Sequence, residues 1–523
     1  MRRLYERLGA YALWAALAAL PFLCVYGFVH YVLRASIADH FPSNGDPCVF
    51  WHEIATLVSV GLGGGHYGYE ELAAPAAKYG VGTFAAHSMW FQMIYAGIGK
   101  VVGWKPQTPV WVNIGFLTAA LALLPWLMRA GARYILFCLA FFASCLYMQM
   151  FTPIMMSEAF QFSVAIALAG LFFRHIEAGG GAGAFSKALW VLIACAGATR
   201  YSWALLFFAY HMPFERMRSP KAWALAMAKA LAGFALCFVA YLLFAAPYPY
   251  EPFPGSHFGM AVYASLLRGD AGPLAALVKT NFLGVFEPEQ MSAQLMLFWM
   301  VIAYAFAAPL LTLKERNAPA PEGGRLAGLA MFHVVNMGSI LAASFFYYYA
   351  AVGMTGLRLG MPHFVCSLLI LARTVRLRWL MPVLALQLVL APALMTDMRM
   401  VGGTEYSGVT ARSGAHEFQE LFSKMAYRKG APSPWCNTAL VFGSYSTGQA
   451  FMFIPPEMGI NDMRFPEDKN FAGPLKSGWV LTRVPGARKI LERIPGLEFV
   501  GEQGAWSLFR NAAAGCGPAG GAQ

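Results

Sequence analysis

Charged residues are scarce in this sequence. Asp, Glu, Lys and Arg together make up 12% of the 523 residues, whereas hydrophobic residues make up 58%. A soluble domain carries roughly 25% charged residues. The composition therefore excludes an ordinary soluble globular protein and predicts a protein that crosses a membrane several times.

Several short motifs are also missing. The nine cysteines form no CxxC pair and no zinc-type spacing, which excludes the common structural zinc sites. No Ala-x-Ala cleavage site follows the first apolar run, so we expect residues 9–33 to stay in place as a membrane anchor. Cys48, Cys436 and Cys516 are predicted outside the membrane, and in an oxidising compartment two of them could pair.

The net charge of +12 comes mainly from short links between apolar runs. Examples are the links that contain Arg129 and Arg133, and Arg373, Arg376 and Arg378. This distribution follows the positive-inside rule and predicts that the links face the cytoplasm. It explains the basicity without nucleic acid as a partner.

Counting spans of about 20 apolar residues from a cytoplasmic N-terminus predicts about eleven crossings. Full spans are predicted near residues 9–33, 108–128, 133–151, 157–174, 222–246, 291–313, 326–350, 359–373 and 378–396. Residues 188–211 are too few for two full crossings, so we predict two short helices that meet near Arg200. Residues 88–104 are predicted to lie in the outer interface, because a crossing there would move the basic links outside.

The chain changes character at Asp397, after which charged residues are common. The patterns there predict strands at 438–442, 478–483 and 506–509, and helices at 414–429 and 487–494. We therefore predict a transmembrane domain of residues 1–396 and a small α/β domain of residues 397–511 on the outer face. A glycine- and alanine-rich tail, residues 512–523, is predicted to be disordered.

Three acidic residues are candidates for chemistry at the outer face. Asp46 and Glu53 lie in the first outward loop, residues 34–104, and Glu158 lies in the second outward link. A reaction that deprotonates a hydroxyl needs a carboxylate within hydrogen-bond reach. Asp46 also fits a turn residue before Pro47, and Glu158 also fits the first turn of a helix capped by Ser157.

Cations and histidines are predicted near the same face. Arg200 and Arg358 are predicted where helices reach it, and a phosphate leaving group needs such cations. Both arginines also fit anchors at the membrane surface. His52 and His66 of the first loop fit buried or interfacial histidines better than metal ligands, because no third ligand has a fixed spacing.

The first loop resembles that of a known family. The segment Asp46-Pro-Cys-Val-Phe-Trp-His-Glu53, a glycine-rich turn, Tyr67 and an apolar interfacial stretch resemble the first periplasmic loop of GT-C type membrane glycosyltransferases. The resemblance is closest to the polyprenyl-phosphate-mannose-dependent mannosyltransferases. Looser matches are Met156-Ser-Glu158, Ala198-Thr-Arg200-Tyr, Leu357-Arg358-Leu and the segments 439–445 and 453–461 of the C-terminal domain.

The resemblance implies a GT-C-like α-helical polytopic fold in the bacterial inner membrane, with the N-terminus cytoplasmic and the C-terminal domain periplasmic. It implies inverting transfer of a sugar from a polyprenyl-phosphate donor to a hydroxyl on a lipid or glycan acceptor. The other expected partners are membrane lipids. No cofactor is implied with certainty. A divalent cation stays open, because the family often has a second acid directly beside the first, whereas here the next is Glu53.

The resemblance also suggests roles for individual residues. Asp46 would be the general base, with Glu53 as a further acid, and Glu158 would orient the acceptor or support a cation. The phosphate leaving group would be held by Lys78, Arg200 and Arg358. The donor or acceptor pocket would include His52, His66 and Tyr67.

Two other classes of function stay open. An envelope polysaccharide ligase or polymerase would share the predicted topology. A transporter or flippase would also place charges in a membrane cavity, although the sequence shows no clear internal repeat of the kind many transporters have.

Overall fold

The computed structural model of the chain is mostly helical, with one small sheet. It describes residues 2–32, 34, 36–39, 46–63, 67–69, 89–181, 183–212, 219–244, 265–286, 293–314, 323–346, 354–401, 419–442, 450–463 and 475–516. The predicted site residues His66 and Lys78 lie outside this described part.

Within the described part, seven helices are long and apolar enough to cross a membrane. They are Gly9–Val32, Thr108–Leu127, Ser157–Glu177, Pro220–Tyr241, Ala293–Lys314, Arg325–Phe346 and Leu377–Thr396. Each falls on a span predicted from the sequence, which confirms the polytopic helical fold. The total of about eleven crossings stays a prediction.

The α-helices are numbered below in chain order. They are α1 (Arg2–Gly27), α2 (Asp46–Ser59), α3 (Trp90–Val102), α4 (Thr108–Leu127), α5 (Ala132–Ser144), α6 (Leu146–Phe151), α7 (Ser157–Glu177), α8 (Ala184–Thr199), α9 (Leu206–Tyr210), α10 (Pro220–Phe244), α11 (Gly272–Gly284), α12 (Ala293–Lys314), α13 (Gly323–Phe346), α14 (Met354–Thr374), α15 (Met381–Val401) and α16 (Ala487–Leu491).

Helix α7 occupies a central position among the membrane helices. It packs against α4, α8 and α14, and most of its side chains are buried. The approach to α4 is close because Gly170 has no side chain: a Cβ atom there would lie 2.7 Å from Leu127. The first turn of α7 contains Glu158, so this candidate residue belongs to a firmly packed helix.

Two short helical regions agree in length with their predictions, and the interfacial position of residues 88–104 stays a prediction. Helix α3 has 13 residues, about 20 Å of helix, which is too short to cross a bilayer core of roughly 30 Å. Helix α8 ends at Thr199, Arg200 has extended backbone (φ −150°, ψ 107°), and a 3₁₀ helix at Tyr201–Leu205 leads into α9. The break therefore lies where the sequence predicted it.

The C-terminal domain contains a six-stranded sheet. Its strands are β1 (Tyr67–Tyr69), β2 (Thr438–Phe442), β3 (Gly459–Met463), β4 (Trp479–Thr482), β5 (Leu497–Gln503) and β6 (Trp506–Asn511), in the order β1-β3-β2-β4-β6-β5. The first four strands in that order are parallel, and β6 pairs antiparallel with both β4 and β5. Strands β2, β4 and β6 and helix α16 confirm the sequence predictions, which missed β3 and β5. Of the predicted helix 414–429, the described part is helical at 419–422.

The edge strand of this sheet comes from the first loop. Tyr67 of β1 is paired with Ile460 of β3. From the sequence alone, the whole domain is predicted at residues 397–511 and Tyr67 is predicted to line the donor or acceptor pocket. The sheet instead extends into the first loop, because a parallel edge strand can be supplied by any segment that reaches it. The two boundaries stay predictions.

A disulfide closes the C-terminal domain. Cys436 and Cys516 are bonded, with 5.4 Å between their Cα atoms and 80 positions between them in sequence. The sequence left open whether two of the three outer cysteines pair, and the structure pairs Cys436 with Cys516, whereas Cys48 is buried in α2.

Candidate functional site

A buried carboxylate and two arginines form the centre of the candidate site. The Glu158 side chain is 1% exposed, and its Oε1 atom accepts a hydrogen bond from Arg358 Nε at 3.0 Å. Arg200 Nη2 lies 3.7 Å from the same oxygen. These three residues, here called the arginine cluster, combine two positive charges with one negative charge. Both guanidinium groups are thus directed at one buried carboxylate oxygen.

The arginine cluster has polar atoms that no described residue satisfies. Glu158 Oε2 and Arg200 Nη1 are buried and have no hydrogen-bond partner among the described residues. A buried donor without a partner costs about 1–3 kcal/mol. A ligand oxygen that accepted from Arg200 Nη1 would remove that cost, so the cluster suits an anion with several oxygens.

Glu158 lies in the first turn of α7, as the structural interpretation of the sequence predicted, but the predicted cap is absent. The residue before the helix is Met156, whose backbone is extended and whose side chain makes no cap. Ser157 is the first helical residue, so its prediction as the cap is wrong. Its hydroxyl instead lies 3.4 Å from Arg200 Nη2. Glu158 remains favoured by the positive end of the helix dipole.

A buried polar network fixes the chain just after Arg200. His363 belongs to α14. Its Nδ1 atom is 2.8 Å from Asn336 Oδ1, and its Nε2 atom is 3.1 Å from Ser202 Oγ. The Asn336 amide nitrogen donates to the His363 carbonyl at 2.7 Å and to Ser367 Oγ at 2.8 Å. Those two donations leave Oδ1 as an acceptor. His363 therefore carries its proton on Nδ1, and Ser202 donates to Nε2.

Trp203 extends this network to α7. Its indole ring stacks on the His363 ring, with centroids 3.7 Å apart, and its Nε1 atom donates to Gln161 Oε1 at 2.5 Å. Gln161 in turn reaches Thr199 Oγ1 at 3.4 Å, the last residue before Arg200. Sequence reasoning missed His363 and Gln161. The available signal was a polar side chain inside an apolar span, which marks a structural or functional role.

A second buried carboxylate lies between α2 and α3. The Glu53 side chain accepts a hydrogen bond at Oε2 from Gln92 Nε2 at 3.0 Å, and both residues are buried. Burial raises the pKa of Glu53 to about 8, and the hydrogen bond from Gln92 opposes this rise only in part. Glu53 is therefore mostly protonated at neutral pH. Its Oε1 atom and that of Gln92 have no partner among the described residues.

Aromatic rings connect this pair to the start of α7. Phe91, beside Gln92, packs against Phe160, with ring centroids 6.0 Å apart. Tyr95 donates to Asn113 Oδ1 at 2.5 Å. The amide of Asn113 donates to the carbonyls of residues 152 and 154, in the link that leads into α7. Helix α3 thus packs beside the turn that carries Glu158.

Helix α2 also binds the C-terminal domain. His52 is buried, and its Nε2 atom donates to the carbonyl of Met458 at 3.0 Å. Thr56 donates to the carbonyl of Pro456, and Ser59 Oγ donates to Glu457 Oε1 at 3.0 Å. Burial lowers the pKa of His52, so the ring is neutral at physiological pH. The structure gives His52 a contact between domains, and its role in a pocket stays a prediction.

The remaining candidates are placed by backbone alone or lie outside the described part. Asp46 is the first residue of α2, so its backbone begins a helix. Tyr67 begins β1. The roles of Asp46, Tyr67, His66 and Lys78 stay predictions. Among the described residues, no group of three His, Cys, Asp or Glu side chains is placed to hold a metal ion.

Comparison with known proteins gives structural neighbours only. No family model and no curated protein matches the chain. The apo oligosaccharyltransferase of Archaeoglobus fulgidus is 10% identical, with a TM-score of 0.47, over 95% of this chain and 74% of its own. Its complex with an inhibitory peptide and a dolichol-phosphate is 11% identical, with a TM-score of 0.46, over 89% of this chain and 69% of its own. ArnT from Cupriavidus metallidurans bound to undecaprenyl phosphate is 11% identical, with a TM-score of 0.40, over 97% of this chain and 99% of its own.

The chain is similar to these membrane proteins in overall arrangement. The likeness is one of shape.

Proposed function

We propose that the chain is an inverting glycosyltransferase that moves a sugar from a polyprenyl-phosphate donor to a hydroxyl acceptor. The observation that carries this proposal is the arginine cluster, in which two guanidinium groups share one buried carboxylate and Arg200 keeps an unsatisfied donor, at one end of the membrane helices. A lipid phosphate is an anion suited to this position, because its apolar chain keeps it in the membrane beside the helix ends.

The cluster matches the charge that develops during such a transfer. The anomeric carbon forms a bond to the acceptor oxygen and loses its bond to the phosphate oxygen, which keeps the electron pair. The departing lipid phosphate therefore gains one negative charge. Arginine binds phosphate oxygens through parallel N–H bonds, so Arg200 and Arg358 can stabilise this charge without protonating it. Lys78 remains a further candidate for the same role.

Glu158 holds the two arginines in this proposal. Its Oε1 atom already pairs with Arg358 and lies near Arg200, so the carboxylate orients cations that belong to the protein. A bound metal ion would compete with both guanidinium groups for that oxygen. The pairing therefore favours positioning of the arginines over support of a metal.

The acceptor hydroxyl needs a general base to take its proton. The two acids of α2 are not equally suited to this role. Glu53 keeps its proton at neutral pH because it is buried, so it suits hydrogen-bond donation better than proton abstraction. Asp46, at the first residue of α2, is the better candidate for the base. The proton of the acceptor would pass to its carboxylate as the new glycosidic bond forms.

The surrounding elements suggest where the substrates enter. The exposed end of α3, including Val101 and Val102, would border the groove that receives the lipid chain. The C-terminal domain, joined to α2 through His52, would shape the acceptor pocket. A disulfide in this domain supports placement in an oxidising compartment such as the periplasm of a bacterium.

The proposal is tested by transfer assays on purified protein. Wild type, Asp46→Asn and the control Asp270→Asn are given a panel of radiolabelled polyprenyl-phosphate sugars, with envelope lipid extract as acceptor. Asp270 caps Gly272 through its Oδ1 atom, a bond that Asn also makes. We expect wild type and Asp270→Asn to transfer label, and Asp46→Asn to lose on the order of 10²-fold in rate or more.

The outcomes separate two parts of the proposal. Transfer by Asp46→Asn at the wild-type rate would remove Asp46 as the base while leaving the activity in place. Absence of transfer from every donor would overturn the glycosyltransferase function and favour transport, ligation or polymerisation.

A further inference from the structure

A cavity of about 470 Å³ lies at the other end of the helices that carry the arginine cluster. Its walls come from the turn after α7, the end of α9 and the start of α10, including Gly181, Tyr210 and Ser219. The arginine cluster instead adjoins the start of α7 and the end of α8. Helix α7 has 21 residues, about 30 Å, which equals the hydrocarbon thickness of a bilayer. The two sites are therefore one membrane thickness apart.

The cavity is positively charged. Lys221 and Lys229 line it, and none of the described residues that line it is acidic. The described lining thus favours an anion.

His211 adds hydrogen-bonding capacity without charge. Burial is the largest of the causes that together lower the pKa of His211 to about 4, and the electrostatic effects of Lys229 and His175 act in the same direction. The ring is therefore neutral at physiological pH. It lies in the cavity wall beside the two lysines.

The shape of the cavity favours a lipid over a soluble anion. Lys221, Leu225 and Lys229 follow at helical spacing along one face of α10, and the two lysines are about 12 Å apart along its axis. Lys229 lies two turns inside a helix that is apolar enough to span the membrane. Leucine and alanine side chains at 225 and 226 form an apolar wall between the lysines. A phospholipid fits this arrangement, with its phosphate beside Lys221 at the start of α10, the long side chain of Lys229 extending toward it, and its chains along the apolar wall.

We infer that this cavity binds the phosphate headgroup of an anionic phospholipid, in the leaflet at the end of the bundle opposite the arginine cluster. Basic pockets between membrane helices bind such headgroups, and each lysine near the surface contributes about tenfold or less to affinity. The long lysine side chain at 229 can extend toward the interface to reach the phosphate. This site is independent of the proposed glycosyl transfer.

Native mass spectrometry of the full-length protein tests the inference. Delipidated wild type, the double variant Lys221→Gln/Lys229→Gln and the control Lys187→Gln are titrated with phosphatidylglycerol and with phosphatidylcholine. Lys187 is an exposed lysine of α8 at the same end of the bundle and does not line the cavity. We expect one tightly bound phosphatidylglycerol in wild type and in Lys187→Gln, and roughly ten- to thirtyfold weaker binding in the double variant.

Additional measurements identify the ligand and check that each variant is folded. Millimolar glycerol 3-phosphate should not displace the lipid, and Lys221→Arg/Lys229→Arg should restore binding if charge is what the site supplies. A thermal unfolding curve without lipid shows whether each variant is folded, and either single Lys→Gln variant replaces the double variant if that one is not. Equal binding of phosphatidylglycerol by wild type and the folded Gln variant would overturn the inference. So would equal affinity for phosphatidylcholine, or displacement by glycerol 3-phosphate, which would identify a soluble phosphate as the ligand.

Discussion

Arg358 donates a hydrogen bond to Glu158 over 3.0 Å and so joins two residues 200 positions apart in sequence. The carboxylate is almost fully buried, while the guanidinium is 27% exposed. Removing one partner of a buried ion pair leaves an uncompensated charge, which is strongly destabilising. The contact therefore holds a cation at the candidate site and stabilises the bundle, and these two effects can be measured separately.

Glu158→Gln should lower both stability and donor use. The substitution leaves two guanidinium groups without their carboxylate, and removal of one partner of a buried pair typically costs about 3–5 kcal/mol. We expect a lower thermal midpoint and a raised KM for the donor. Glu177→Gln on the same helix is the control, because Glu177 pairs with an Arg129 that is 65% exposed. Exposed pairs contribute about 1 kcal/mol or less. Equal effects of the two substitutions would contradict the role of Glu158.

Arg358→Ala should weaken donor use and leave acceptor use nearly intact, because the proposed contact is with the phosphate of the donor. Arg358→Lys keeps the charge but loses the planar pair of donors, so we expect an intermediate effect. Initial rates with each substrate varied in turn give the two KM values. Arg268→Ala is the control, because Arg268 is exposed and donates to Ser265 three positions earlier in sequence. A similar rise in both KM values for Arg358→Ala would argue against phosphate binding.

Glu53 should make stability depend on pH. Its folded-state pKa of about 8 lies above the ordinary value of 4.5, so the folded protein holds this proton more strongly than the unfolded chain. The contribution is complete below pH 4.5 and is lost as pH rises toward 8, with a slope that approaches about 1.4 kcal/mol per pH unit. Thermal midpoints between pH 5 and pH 8 should fall more steeply in wild type than in Glu53→Gln. Parallel curves would show that Glu53 does not titrate in this range.

Loss of the disulfide should weaken the C-terminal domain. The bond closes a loop of 80 positions, and such cross-links typically stabilise by about 2–4 kcal/mol. We expect Cys436→Ser/Cys516→Ser to be cleaved faster in this domain by limited proteolysis. Cys195→Ser is the control, because Cys195 is exposed in α8 and forms no disulfide. Unchanged proteolysis of the double variant would show that the domain does not depend on the bond.

The sequence predicted the features that depend on local pattern. The long spans follow from runs of apolar residues, and the break at Arg200 follows from a stretch too short for two crossings between basic links. Strand β2 was predicted because Thr438–Phe442 is a short β-branched and apolar run. These features need no knowledge of which elements meet.

The features that the sequence did not predict depend on distant contacts. Strand β1 has only three residues and acquires its role by pairing with β3. The pairing of Glu53 with Gln92 depends on how α2 packs on α3. His363 is one polar residue in an apolar helix, and its function as a link between Ser202 and Asn336 appears only when three helical segments come together.

The bond from His52 to Met458 also orders events during synthesis, since the two residues are 406 positions apart. At about 5–20 residues per second, a ribosome needs roughly 20–80 s to travel from one to the other. During that interval the first loop has neither its contact at His52 nor the strand that pairs with β1. A nascent chain therefore cannot complete the contacts of this loop until residues 458–462 have been made.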